Sequence, residues 1–388
     1  MAKIVILGGG FAAIAAAEEI SKAENQDVEV TVISSSREFV FFPALVPYIF
    51  GAIDRSELRF DLASKLAEKG IRFIQAEVLS IDAVRHTVAL TGKDVEGFVH
   101  FDHLLIALGR RLATERVSGY FEHADHILGI DAAQRFKAAV ERFDTGEIVV
   151  GLCPGSFLPI PVCESAVALA ERFKNDIADG RTSVTAIFPE TLDDAFFGSA
   201  LFRDIRGTLD HYQVQLIERF QIARLEANDI RSLDGRSVRF DLAMLLPPFQ
   251  GQSPILNPDA VSGNAGFIHV NEMMQVTGQP HVYAAGDIAS IPGPRFGYHA
   301  IRQGRTAAAN ILAEAVGRPA STIYEHEIAW AINEKYTDPA YFHYGFWDES
   351  LKDFNNDIFF GMARSIREKY GSIKGFGKPI EENAVSNY

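Results

Sequence analysis

A chain of 388 residues exceeds what one compact core usually serves, so two or three packed units are expected, and 47% apolar residues exclude disorder. A net charge of -14 excludes a nucleic-acid partner, and no apolar run reaches the roughly eighteen residues a membrane span needs. Two cysteines are too few for an extracellular disulfide framework, which points to a reducing, cytoplasmic setting.

From the N-terminus, "KIVILGGGFAAIAAAEEI" reads as strand, Gly-rich turn and Ala-rich helix, not as a secretion signal. Its turn is G-x-G-x-x-A. Gly8 permits the tight bend, Gly10 lets a pyrophosphate approach the backbone, and the small Ala13 lets helix and sheet pack closely. The helix start offers free N–H groups to a phosphate. "VEVTVISSS" completes a βαβ unit. Where an acid would hold a ribose hydroxyl, this strand ends in serines. Ser34 or Ser35 could bond a ribose and Arg37 could approach an adenine, although a solvated turn accounts for them equally well.

"FDLASKLAEKG" is expected to be a short amphipathic helix, and "IRFIQAEVLSIDAVRHTVALT" a set of antiparallel strands. "FDHLLIALG" reads as a buried strand carrying Ala107 and Gly109 at its end. A second α/β unit begins at "GEIVVGLCPG" and continues through a helix from "CESAVALAERFKNDI". Between them lies a Gly/Pro loop holding both cysteines. Cys153 and Cys163 could be packing residues, a redox pair, or one reactive thiol at a helix start. "HVYAAGDIAS" ends a strand in Gly286 and Asp287, and a long helix follows from "FGYHAIRQGRTAAANILAEAVG". No metal-ligand spacing is read anywhere in the chain. Beyond Pro319 aromatic residues crowd together. "DIFFGMARSIREKYGSIKGFGKP" then sets Ile358, Met362, Ile366 and Tyr370 on one face of a basic helix, which suits a membrane surface or a homodimer contact.

Over residues 3 to 315 these segments resemble the sulfide:quinone oxidoreductases and the flavoprotein subunits of flavocytochrome c sulfide dehydrogenase, relatives of the type II NADH dehydrogenases. The resemblance implies an α/β fold of two tandem dinucleotide-binding domains, as in glutathione reductase. An FAD-binding domain would comprise residues 1–110 and 241–318, a second Rossmann-like domain 111–240, and a C-terminal contact region 319–388. It implies FAD, with Asp287 accepting hydrogen bonds from the ribityl chain, Pro43 and Ala44 near the flavin, and Val78 near the adenine. Arg295 stands where the family has a Lys beside the flavin N1 and C2 carbonyl, Phe296 where it has a Thr, and Gly297 opens the helix beneath the ring. Glu164 matches a family Glu that could relay protons, or is simply a first-turn carboxylate.

The implied activity is two-electron transfer from a small donor through FAD to a quinone-like acceptor. The family's flavin-side cysteine sits six residues before its Glu, and that position is Leu158 here; no cysteine follows Cys163. Family-standard sulfur chemistry is therefore not expected. Pro159 and Pro161 remove N–H donors that an NADH pyrophosphate would need. An NAD(P)H-driven reductase of the type II kind and a flavin-binding protein without turnover stay open as alternatives.

Overall fold

The computed structural model describes residues 1–23, 27–92, 95–196, 201–252, 261–262, 265–329, 341–345 and 350–352. The elements that frame the site run β1 (Ala2–Leu7), α1 (Phe11–Ser21), β2 (Val28–Ser34), β3 (Arg72–Gln75), β4 (His103–Ile106), β5 (Gly146–Leu152), α2 (Pro159–Arg172), β6 (Thr182–Ile187), β7 (Gln215–Ile217), β8 (Leu242–Leu246), β9 (Val282–Ala284) and α3 (Gly297–Ala315).

Five parallel strands form the first sheet in the order β9-β4-β1-β2-β3. Both faces are covered, so β4 is buried along its whole length and reads as an unbroken run rather than an alternation. On one face lie α1 and α3. They approach closely because a Cβ on Gly304 would stand only 2.3 Å from the carbonyl oxygen of Ala12. The Ala-rich stretch Ala12 to Ala17 is accordingly buried on every side. The other face packs on an antiparallel sheet of strands Glu77–Asp82, Thr87–Thr91 and Glu96–His100.

The second sheet, also parallel, has the order β7-β6-β5-β8. Ile148, Val150 and Leu152 of β5 face α2, whereas Val149 faces a separate cluster containing Tyr120 and Phe220.

Three sequence expectations need correction. The stretch from Arg72 is not wholly antiparallel: β3 joins the parallel sheet, pairing Thr31 with Arg72, and antiparallel pairing starts at Glu77. The second helix begins at Pro159, four residues before Cys163, because a proline suits the first helical turn, where backbone N–H groups have no intrahelical acceptor. Leu242–Leu246, placed by the 241 boundary with the first unit, pairs with β5 in the second sheet. The basic segment around Ile358, Met362, Ile366 and Tyr370 lies outside the described residues. Among the described residues no helix is long and apolar enough to cross a membrane.

Candidate functional site

In a doubly wound parallel sheet, ligands bind outside the carboxyl ends of strands where the chain changes direction. Here that point lies between β1 and β4. The turn Gly9 to Ala12 leaves β1, Ala107 to Arg110 leave β4, and Ala285 to Asp287 leave β9; together they line one side of a cavity of about 510 Å³. The opposite wall is apolar, built from Phe42, Pro43, Leu45 and Val46 together with Leu158, which precedes α2, and Ile160 of α2.

Gly8 makes the first turn possible. Its φ is +116°, and a Cβ there would lie 2.1 Å from the carbonyl oxygen of Ala107. Gly10 caps α1, and a Cβ on it would meet nothing within 4 Å, so the helix start stays open. The turn after β9 is fixed from below: the Gly286 N–H donates to Gln303 Oε1 at 2.7 Å, and Gln303 stands on α3.

The charged groups of the cavity come from three separate segments. Asp287 forms an ion pair with Arg110, whose guanidinium also lies over the Phe249 ring, 4.1 Å from its centroid. Arg295 donates to the Ala289 carbonyl at 2.6 Å and lies 4.7 Å from the Phe267 ring centroid. Burial, then the neighbouring Arg295, lowers the Arg110 pKa to about 9, and burial lowers that of Arg295 to about 10. The Nε atoms of both arginines are buried without a hydrogen-bond partner among the described residues.

Two desolvated cations with unmet donor capacity, beside an open helix start and a carboxylate, suit an anionic dinucleotide carrying hydroxyls. FAD, which the resemblance implies, is such a group. Gly10 and the start of α1 would receive its pyrophosphate, Asp287 its ribityl hydroxyls, and Pro43, Ala107, Gly109, Phe296 and Gly297 would bound its ring system.

Of the sequence-predicted residues, Gly10, Pro43, Ala107, Gly109, Glu164, Gly286, Asp287, Arg295, Phe296 and Gly297 line this cavity. Glu164 does so from α2, half-buried. Gly8 and Ala13 lie directly behind it and shape the turn and the helix packing. The other predicted residues fall elsewhere. Ser34 is buried beneath Gly9, its Oγ 2.9 Å from where a Gly9 Cβ would be, and accepts from the Ser36 N–H at 3.3 Å. Ser35 is exposed, its carbonyl accepting from Gln75 Nε2 at 3.1 Å. Arg37 is held by Asp61 through two bonds of 3.0 and 3.2 Å. Ala44 is buried in the cluster around the second sheet, and Val78 packs across the first sheet with the antiparallel layer.

Both cysteines are placed as packing residues, neither as a redox pair nor as a reactive thiol. Cys153 is fully buried with Val149 and Leu245 on one face of the second sheet, and Cys163 is buried with Leu152 and Ala166 on the other. They form no disulfide, and neither lines the cavity. Burial pushes both thiols up, with the Glu164 charge adding to the effect at Cys163, so neither is a ready thiolate. Leu158 lines the cavity where the family resemblance sets the flavin-side thiol.

Arg110 escapes a reading of the sequence. Its one signal is a cation directly after Gly109, at the end of a strand beside the switch point. Gln303 escapes it too, because its contact with Gly286 joins the middle of a helix to a turn 17 residues earlier.

The family model for pyridine nucleotide-disulphide oxidoreductase matches residues 2–304. The sulfide-quinone reductase of Aquifex aeolicus (strain VF5) is 26% identical over 305 residues, covering 75% of this chain and 70% of that protein. The demethylphylloquinone reductase NdbB of Synechocystis sp. (strain ATCC 27184 / PCC 6803 / Kazusa) is 25% identical over 339 residues, 82% of this chain and 80% of the relative. The crystal structure of the Aquifex aeolicus sulfide:quinone oxidoreductase superposes with a TM-score of 0.83 at 19% identity, covering 99% of this chain and 94% of that one.

Proposed function

The chain belongs to the pyridine nucleotide-disulphide oxidoreductase family as an FAD-dependent oxidoreductase, and we propose that it passes two electrons from a small donor to a quinone-like acceptor without a redox thiol. The observation that carries this reading is the apolar cavity wall, with Leu158 in it and both thiols buried elsewhere. FAD, when bound, supplies the two-electron carrier between donor and acceptor.

The protein's own residues set the conditions. Phe42, Pro43, Leu45, Val46, Leu158 and Ile160 offer an apolar slot for a flat, weakly polar head group. Arg295, anchored on Ala289 and Phe267, keeps a fixed positive charge at the wall against which negative charge on the cofactor can be held. Reducing a quinone to a quinol takes two electrons and two protons, and the Glu164 carboxyl group can hold one such proton at the cavity edge. The relatives named for quinone reduction support the acceptor class. The basic C-terminal segment supports contact with a membrane surface, where such acceptors dissolve.

A second reading concerns the donor. A site without a thiol gives a sulfide sulfur no protein sulfur to bond, and this favours a hydride donor such as NAD(P)H. The prolines in the first turn of α2 count the other way, since they withhold N–H groups from a pyrophosphate.

Anaerobic addition of NADH, NADPH and sulfide in separate cuvettes decides between donors through bleaching of the flavin band; a short-chain quinone is then added. Bleaching by at least one donor followed by recovery with the quinone supports the proposal. Recovery with dioxygen but never with a quinone would remove the acceptor assignment.

A further inference from the structure

At the edge of the first sheet opposite the cofactor cavity, three side chains from distant parts of the chain meet. His103 opens β4, His281 immediately precedes β9, and Glu314 stands in the last turn of α3. Nδ1 of His281 lies 3.0 Å from Glu314 Oε2, and Nδ1 of His103 lies 3.4 Å from the same oxygen. All three ligand atoms fall within 4.8 Å of one another.

We propose that His103, His281 and Glu314 form a binding site for a divalent transition-metal ion of the Zn²⁺ type. The spacing carries the argument. In a tetrahedral site with bonds of about 2.0–2.1 Å, neighbouring ligand atoms stand about 3.3–3.4 Å apart. The two measured separations bracket that edge length. His103 adds an independent observation: the residue is 6% exposed, and its buried Nδ1 makes no well-aligned hydrogen bond among the described residues, although it faces the carboxylate.

Two imidazoles and a carboxylate suit Zn²⁺ and its first-row neighbours over Mg²⁺ or Ca²⁺, which prefer all-oxygen sites. Access is open, because the His281 side chain is 45% exposed while those of His103 and Glu314 are 7% and 15% exposed. Three protein ligands leave a fourth position for water. The role this placement supports is structural. Helix α3 starts at the cofactor cavity and reaches Glu314 in its last turn about 26 Å away at 1.5 Å per residue, so the ion would tie its far end to the edge strand β9 and its neighbour β4. No sequence motif could reveal the site, since the ligands are scattered over most of the chain.

The test uses the flavin-loaded protein, stripped with a chelator and titrated with Zn²⁺ by calorimetry and with Co²⁺ by visible absorption. One ion per chain is expected, with a Zn²⁺-dependent rise in melting temperature. His281→Ala and Glu314→Gln should each weaken binding at least about tenfold, while His211→Ala, an exposed histidine elsewhere, should leave it unchanged. Flavin content and metal-free melting temperature report whether each variant is folded. Should Glu314→Gln fail that check, the variant at the more exposed His281 decides the question. No saturable binding by the stripped protein, or equal binding by the folded His281 variant, would overturn the proposal.

Discussion

Replacing Asp287 by Asn tests the electrostatic arrangement of the cavity at its most loaded point. The substitution keeps the size of the side chain and removes its charge, which leaves the Arg110 guanidinium buried beside a second cation, Arg295. Breaking a buried ion pair from one side costs about 3–5 kcal/mol. The side chains of Arg110 and Asp287 are 14% and 20% exposed, so the lower end, about 3 kcal/mol, is expected for the flavin-free protein. Arg110→Met removes the cation and the carboxylate's partner together with it, but leaves Asp287 open to solvent at the cavity. The double variant should therefore be more stable than the Asp287→Asn single, with a coupling energy of about 2 kcal/mol. Urea unfolding of the four apoproteins measures this cycle. Flavin content should fall in Asp287→Asn, which loses its charged acceptor. Additivity of the two substitutions within about 0.5 kcal/mol would refute the reasoning.

Other expectations follow from single contacts. Gly304→Ala should destabilise the protein by about 1–3 kcal/mol in urea, although helix propensity alone favours Ala by about 1 kcal/mol, because the new Cβ meets the Ala12 carbonyl oxygen. His326 is 2% exposed and burial, with His299 next, lowers its pKa to about 3, against 6.5 when unfolded. Its contribution is fully present above pH 6.5 and is lost as pH falls towards 3. Wild type should therefore lose about 2 kcal/mol by pH 5 that a His326→Gln variant does not, read from unfolding at each pH. Glu164→Gln should lower quinone turnover about a hundredfold while flavin content is kept, in steady-state assays across pH; unchanged turnover would remove its proton-relay role.

The parts of the site legible in the sequence are those that one short stretch dictates. Gly8, Gly10 and Ala13 declare a strand-turn-helix because backbone geometry at a tight turn admits few side chains, and Gly286 with Asp287 marks the end of a buried strand in the same way. What joins distant segments is not legible there. Arg110 meets Asp287 across 177 positions, and Gln303 reaches Gly286 from the middle of a helix. The cysteines show the opposite failure. They lie close in sequence, but Cys153 directly follows a strand and Cys163 sits on the helix covering that strand's other face, so the sheet separates them. Likewise the sequence leaves Arg37 available for an adenine, whereas in the fold Asp61, on a neighbouring strand, holds its guanidinium through two bonds.

The thiol-free account is tested most directly by converting both cysteines to alanine and following anaerobic flavin bleaching and quinone reduction in the same preparation. Both residues behave as small buried apolar groups here, so the double variant should keep its flavin and its rates within about twofold of wild type. A variant that retains flavin and fold yet loses reduction by its donor would contradict the account and return a cysteine to the chemistry.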